Sequence, residues 1–246
     1  MISVCIATHN GEKYIKEQIK SILPQLSDDD EIIVSDDGST DNTISIIESI
    51  DDSRIRVVSY ENKNKNLPSV EKATLNFYNA LRHSNGDYIF LADQDDVWTD
   101  DKVSVTLGYL KDYPYVVSDC YVTDGDLNVV SETRFLASEK VHYNKYAALV
   151  LSTPYQGSCA AFGREVLEKA MPFPNHLQSH DRWIGDVAAF FFGVKIIPEK
   201  LIYYRRHEGT ASNSFGKVSG TSKLKTIWYK WVYVKGIIKL KLFRRK

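Results

Sequence analysis

Three carboxylates crowd the end of one apolar run. Residues 88–92 give way directly to Asp93, Asp95 and Asp96 in the stretch Asp-Tyr-Ile-Phe-Leu-Ala-Asp-Gln-Asp-Asp-Val that begins at Asp87. Carboxylates this close repel one another unless a cation sits among them, and hard divalent cations take oxygen ligands. The plainer alternative is a solvated acidic turn in which Asp96 or Thr99 caps the next helix. Two further polar clusters, Thr8-His9-Asn10-Gly11 and Ser35-Asp36-Asp37-Gly38-Ser39-Thr40-Asp41-Asn42, also follow apolar runs. An Asp at such a point can accept a hydrogen bond from a base N–H or a ribose hydroxyl. Against that stands a glycine turn with Ser39, Thr40 or Asp41 as helix cap. The turn reading suits Gly38 and Asp41, and the ligand reading suits Asp37.

The elements that must position these residues are legible from periodicity. An apolar run bounded by polar residues reads as a buried strand, and open α/β sheets bind ligands beyond the carboxyl ends of their strands. Residues 2–7 form such a run, followed by a helix over 12–23 in which Tyr14, Ile15, Ile19, Ile22 and Leu23 recur at helical spacing. Residues 32–34 lead to a helix carrying Ile44, Ile46, Ile47 and Ile50. A third strand over 55–58 and a helix over 69–82 precede the aspartate strand. This β-α-β-α-β-α-β order predicts a mainly parallel sheet with helices on both faces and all strand ends on one edge. Farther on, residues 115–121 and 127–131 are predicted to pair around Asp124-Gly125. Residues 158–162 and 194–197 read as strands and 182–192 as a helix. There is no G-x-G-x-x-G and no Walker lysine motif, so a phosphate here would be met by a cation rather than by a glycine loop.

With 246 residues, 43% hydrophobic and 26% charged, the chain fits one large α/β domain or one domain with an appendage. Cys5, Cys120 and Cys159 match no metal pattern and are expected in the core of a protein from a reducing, cytoplasmic setting. The amino-terminal residues lack the basic leader and apolar length of a secretory signal, and no stretch approaches a spanning helix. The net charge of −1 hides an asymmetry: ten of the 31 Lys and Arg lie after residue 216, and none of the 32 acidic residues does. Two regions are therefore expected, 1–216 and 217–246. In the second, Ile227, Trp228, Trp231, Val234, Ile238 and Leu242 recur at three- and four-residue steps, flanked by Lys223, Lys230, Lys239, Lys241, Arg244 and Arg245. A basic amphipathic helix with aromatic residues reads as lying in a membrane interface. The alternatives are nucleic-acid contact, which would leave the stripe unused, and an ordinary helix packed on the domain.

The motifs Thr8-His9-Asn10-Gly11, Ser35-Asp36-Asp37-Gly38-Ser39-Thr40-Asp41 and Ala92-Asp93-Gln94-Asp95-Asp96-Val97-Trp98 resemble, in order and spacing, the three amino-terminal signatures of family 2 glycosyltransferases with the GT-A fold. The Asp-Gln-Asp-Asp-Val-Trp form is similar to the rhamnosyltransferase-like branch of bacterial surface polysaccharide synthesis, including O-antigen and capsule. The resemblance runs to about Asn213. It implies that Thr8, Asn10 and Asp37 hold the nucleotide, and that Asp93 and Asp95 match the D-x-D pair on the donor diphosphate. Asp95 would be the more direct ligand of Mn²⁺ or Mg²⁺. In Ser179-His180-Asp181-Arg182-Trp183, Asp181 matches the catalytic base of inverting members, a role a carboxylate can fill for an attacking hydroxyl; the alternative is a helix cap. His207 would be a further metal ligand and Arg205 or Arg206 a phosphate clamp. Gln156 and Gly157, with His180 and Trp183, are acceptor-side candidates. One departure is the loop Asn62-Lys63-Asn64-Lys65-Asn66-Leu67-Pro68, which lacks the glycine of many relatives and bears on sugar preference.

The expectation is thus an α/β protein with a GT-A-type sheet and a basic C-terminal helix. It would move a sugar from a UDP- or dTDP-linked donor to a saccharide acceptor on a lipid carrier, peripheral to the inner face of a bacterial membrane, with no nucleic-acid partner. A sugar-phosphate nucleotidyltransferase is the rival enzyme, although residues 8–13 lack its glycine- and arginine-rich loop. A non-catalytic membrane-attached binding protein is the other rival.

Overall fold

The computed structural model describes residues 1–62, 64, 66–134, 145–149, 155–207 and 223–243. Strands β1 (Ile2–Thr8), β2 (Glu31–Asp36), β3 (Ile55–Ser59) and β4 (Tyr88–Asp93) make the parallel half of a nine-stranded sheet in the order β3-β2-β1-β4. Their near-continuous apolar runs follow from burial on both faces: Val4, Ile6, Ile32, Val34, Ile89 and Leu91 are all fully buried. The register sets Thr8 beside Asp36 and Ala7 beside Asp93, so the three polar clusters leave the sheet at one edge. Helices α1 (Ile15–Ile22), α2 (Thr43–Glu48) and α3 (Ser69–His83) are the crossovers. The spacing of Ile15, Ile19 and Ile22 buries all three, and α3 lies on β1 and β2.

Past β4 come β5 (Val97–Trp98), α4 (Lys102–Leu110), β6 (Tyr115–Thr123), β7 (Val129–Ser131), α5 (Lys145–Ala148), β8 (Ala160–Gly163), α6 (Arg164–Ala170), α7 (His180–Phe191) and β9 (Lys195–Arg205). The sheet continues β4-β8-β6-β9-β5, with β7 on β6. β8 is antiparallel to both β4 and β6, and β9 is parallel to β6. The parallel arrangement expected from the sequence therefore holds for the first half, and a mixed half completes the sheet. Two reversals around β8 leave β6 and β9 running in the direction of β4, so β9 delivers Arg206 and His207 to the same edge as the aspartates. The β6–β7 hairpin forms where Asp124-Gly125 marked it, with Leu127 rather than Gly125 in the left-handed region at φ 65°. All three cysteines are buried and free.

Helix α8 (Lys223–Phe243) revises the reading of the basic region. Its inner face is Tyr229, Tyr233, Ile237 and Leu240, buried in the core, and the helix packs against α7. A Cβ on Gly236 would stand 2.7 Å from the Trp183 ring, so glycine permits the close approach. Ile227, Trp228, Trp231, Ile238 and Leu242, most of the stripe read from the sequence, point outward and are exposed. The helix thus packs on the domain and still presents an apolar outer face. Tyrosines were the missed signal, because their rings bury while their hydroxyls find partners. The side chain of Lys223, Arg244 and Arg245, and the boundary at 216/217, lie outside the described residues. Among those described, no helix is long and apolar enough to cross a membrane.

Candidate active site

The exits of β1, β2 and β4 are laced together by side chains. The Thr8 hydroxyl donates to Gln94 Oε1 at 2.6 Å, and the His9 N–H donates to the same oxygen at 2.9 Å. The Thr8 carbonyl accepts from the Asp37 N–H and from Asn76 Nδ2, each at 3.0 Å. Asp37 Oδ1 accepts from the Asn62 N–H at 2.8 Å, which pins the start of the 62–68 loop over the β2 exit; Lys63 and Lys65 lie outside the described residues. Asn10, with φ 51°, accepts from the Thr40 N–H through Oδ1 at 2.8 Å and donates its own N–H to Ser39 Oγ at 2.9 Å. The structure therefore brings Thr8, Asn10 and Asp37 together, with Thr8 and Asn10 bracing the loops. Gln94, His9 and Asn76 belong to the same network; Gln94 and His9 lie inside motifs read from the sequence, whereas Asn76, on α3, carried no sequence signal.

At the β4 exit the helix-cap alternative fails. Asp96 is fully buried and its Oδ1 accepts from the Arg205 N–H at 3.0 Å, while the cap position of α4 is Asp101. Burial, reinforced by Asp95 and Asp93, holds the Asp96 carboxyl well above the usual range. Asp93 is pushed up to about 8, first by burial and then by the charges of Asp95 and Asp181. That response brings Asp181 into the electrostatic neighbourhood of the D-x-D pair. Asp95 Oδ2 lies 2.8 Å from His207 Nε2, an ion pair when the ring is protonated. Tyr14 packs against that ring at 4.9 Å between centroids.

Among the described residues no set of three His, Cys, Asp or Glu forms a ready cage for a metal ion. A hard cation bound through one or two carboxylates, completed by water and substrate phosphate, needs none. Asp95 and Asp93 supply the oxygens and the mutual repulsion that a cation relieves, and His207 supplies a nitrogen, so the donor set fits a divalent ion with open positions.

Asp181 sits in the first turn of α7, beyond its N-cap Ser179. The Ser179 hydroxyl donates to Asp181 Oδ1, and the Arg182 N–H reaches the same oxygen at 2.6 Å. His180 stacks on Phe77 with centroids 4.0 Å apart, and burial lowers its pKa, so the ring is neutral near pH 7. The 3-10 turn Gly157–Cys159 closes the other side: a Cβ on Gly157 would stand 3.1 Å from His180 Nε2 and 3.6 Å from Asp181 Cβ. Gln156, buried beside that turn, places Nε2 3.5 Å from Ser158 Oγ. Beneath it, the fully buried Lys102 donates from Nζ to the Ser158 carbonyl at 3.0 Å. Nothing in the sequence marked that lysine, since lysine is ordinarily a surface residue.

Two candidates are reassigned. Trp183 is a core residue, 1% exposed, with Nε1 donating to the Ala170 carbonyl at 2.9 Å; it supports α8 rather than facing an acceptor. The Arg205 guanidinium, 4% exposed, donates to Glu17 at 2.6 Å and to the Gly125 carbonyl at 3.0 Å, and lies 4.3 Å from the Tyr14 ring. It pins the β6–β7 turn to α1 through Nη1 and Nη2, which makes it a brace between these elements. Arg206 is less buried, its backbone held by the Thr123 carbonyl and Nη1 3.4 Å from the Tyr204 hydroxyl. Residues 209–213, which follow His207 in the sequence motif, lie outside the described residues.

Residues 3–170 match the family model described as Glycosyl transferase family 2. The chain is 44% identical over 104 residues to the dTDP-rhamnosyl transferase RfbG of Shigella flexneri, a match spanning 40% of this chain and 34% of that protein. It is 28% identical over 240 residues to the UDP-Glc:alpha-D-GlcNAc-diphosphoundecaprenol beta-1,3-glucosyltransferase WfaP of Escherichia coli, covering 94% of this chain and 88% of that one. Among solved structures, S. aureus TarS 1-349 in complex with UDP-GlcNAc aligns with a TM-score of 0.67 at 18% identity, over 89% of this chain and 62% of that chain. The mannosyltransferase PcManGT of Pyrobaculum calidifontis, solved with GDP-Man and Mn²⁺, aligns with a TM-score of 0.59 at 18% identity, over 100% of this chain and 88% of that one. These two likenesses bear out the fold expected from the sequence.

Proposed function

The chain belongs to glycosyl transferase family 2, and on that premise we propose that it moves a sugar from a nucleoside-diphosphate donor to a saccharide hydroxyl with inversion, Asp181 being the base. The observation that carries this reading is the contact of Asp95 with His207 at 2.8 Å, beside Asp93 at the strand ends of one sheet edge, and the charge of Asp181 is among those that raise the Asp93 carboxyl. Asp181 accepts the proton of the acceptor hydroxyl, whose oxygen forms the new bond to the anomeric carbon. The bond from that carbon to the diphosphate oxygen breaks, and its electron pair leaves with the nucleoside diphosphate. The Ser179 hydroxyl and the Arg182 N–H fix one oxygen of Asp181 and so orient the other. Asp95, Asp93 and His207 would hold Mn²⁺ or Mg²⁺, which when bound would supply Lewis-acid stabilisation of charge on the departing diphosphate. Asp37 and the Thr8 and Asn10 loops receive the nucleoside, Arg206 approaches the diphosphate, and Gln156, Gly157 and His180 form the acceptor side.

The acceptor is a saccharide on a lipid carrier. The outer face of α8 supports this, with Ile227 63% and Trp231 59% exposed beside Lys230, Lys235, Lys239 and Lys241. Apolar and aromatic groups among lysines suit an anionic bilayer surface, here the inner face of a bacterial membrane. The test is incubation with UDP-, dTDP- and GDP-sugars and lipid-linked acceptors, scoring nucleoside diphosphate release and product mass with Mn²⁺, with Mg²⁺ and with excess chelator. Metal-dependent release with a matching product supports the reading. A folded protein that releases nothing from any donor overturns it.

A further inference from the structure

The fold gives the base an external support. The Tyr233 hydroxyl, on α8, accepts the Ser179 N–H at 2.9 Å and lies 3.3 Å from the Ser179 carbonyl, to which it can donate. Ser179 is the N-cap residue whose hydroxyl donates to Asp181. The Arg182 guanidinium lies 4.6 Å from the Tyr233 ring. Tyr233 is fully buried, and burial raises its pKa above the ordinary phenol value, so the hydroxyl stays protonated at working pH. A second tyrosine on the same helix has a different target: the Tyr229 hydroxyl donates to Glu71 on α3.

We infer that Tyr233 is a positioning residue for the reaction: through Ser179 it fixes the turn that carries Asp181, so the C-terminal helix is part of the catalytic apparatus. This rests on the assignment of Asp181 as the base made above. An N-cap held at both its N–H and its carbonyl cannot rotate without breaking one of the two bonds. The cap in turn sets where the Asp181 carboxylate points. Displacements of about 1 Å at a reacting group can cost about 100-fold in rate. The helix whose outer face is offered to a lipid surface is therefore the one that aims the base.

The experiment compares Tyr233→Phe with Tyr229→Phe in the full chain. Both remove one buried hydroxyl from the same helix, and both are checked for folding by circular dichroism. The expected result is a fall in kcat of about 10- to 100-fold for Tyr233→Phe, with donor KM within about threefold of wild type, and near wild-type kcat for Tyr229→Phe. The effect should also vanish in an Asp181→Asn background, since two residues acting on one step are not additive. If Tyr233→Phe does not fold, 3-fluorotyrosine at position 233 keeps the ring and hydroxyl but weakens the hydroxyl as an acceptor, and should lower kcat by a few-fold. Equal losses in the two single variants, or an unchanged kcat in Tyr233→Phe or its fluorotyrosine counterpart, overturn the inference. A fully active Asp181→Asn protein would instead overturn the base assignment itself.

Discussion

Replacing Lys102 by methionine tests whether the buried ammonium under the Gly157–Cys159 turn is set by its surroundings as the structure indicates. Nζ donates to the Ser158 carbonyl at 3.0 Å and lies 4.8 Å from the Trp98 ring, and the residue is 1% exposed. Burial pushes its pKa down from 10.5 to about 8, only partly opposed by Asp96 and the two nearby thiols. A shift of that size corresponds to about 3 kcal/mol. Between those two pKa values the unfolded chain holds the proton and the folded chain gives it up, so stability rises with pH. The contribution is fully present above 10.5 and lost as pH falls through 8. For a folded pKa of 8, about 1.4 kcal/mol of it falls between pH 7 and pH 9. Methionine keeps an unbranched stem and has no charge to titrate. Urea unfolding of both proteins at pH 7, 8 and 9 isolates the effect as a difference, since every other titrating group is shared. Wild type should gain about 1.4 kcal/mol on the variant over that range. Parallel pH profiles would refute the buried ammonium and its part in supporting the turn beside Asp181.

Three further outcomes are expected. Arg205→Gln should destabilise the fold by about 1–3 kcal/mol in urea unfolding, because the Gly125 carbonyl and Glu17 lose their donor. Donor KM should stay within about threefold, and a selective collapse of donor affinity would return Arg205 to the phosphate. Asp95→Asn should leave the protein folded but weaken Mn²⁺ binding, measured by calorimetry, by at least about tenfold; unchanged affinity would remove Asp95 from the metal site. Trp228→Ala with Trp231→Ala should lower sedimentation with anionic vesicles, and added salt should lower it further, since the lysine share is screened. Binding equal to wild type would leave the outer face of α8 without a lipid role.

The parts of the fold that local pattern controls were legible. Strands β1, β2 and β4 were marked by apolar runs, α1 by its isoleucine spacing, and the β6–β7 hairpin by Asp124-Gly125. The polar residues at their exits share one edge because parallel pairing requires it. What escaped reading depends on partners distant in sequence. Arg205 reads as a free cation until Glu17, 188 residues away, is found against it. Trp183 in a His-Asp segment reads as acceptor-facing until α8 closes over it through Gly236. The inner face of α8 was hidden because Tyr229 and Tyr233 count as polar in a pattern, although their rings are buried. The place of β9 between β6 and β5 had no local signal either, because pairing order in a mixed sheet is settled by long-range contacts.

Whether Asp181 takes the proton in sugar transfer is decided by turnover and donor binding of Asp181→Asn beside wild type on the best donor and acceptor found. Asparagine keeps the size of the side chain but cannot accept a proton at neutral pH. In the variant kcat should fall by about 10²- to 10⁴-fold, the usual worth of a general base, with the donor dissociation constant within about threefold of wild type. Turnover that persists in a folded Asp181→Asn protein, or a loss confined to donor affinity, would contradict that role.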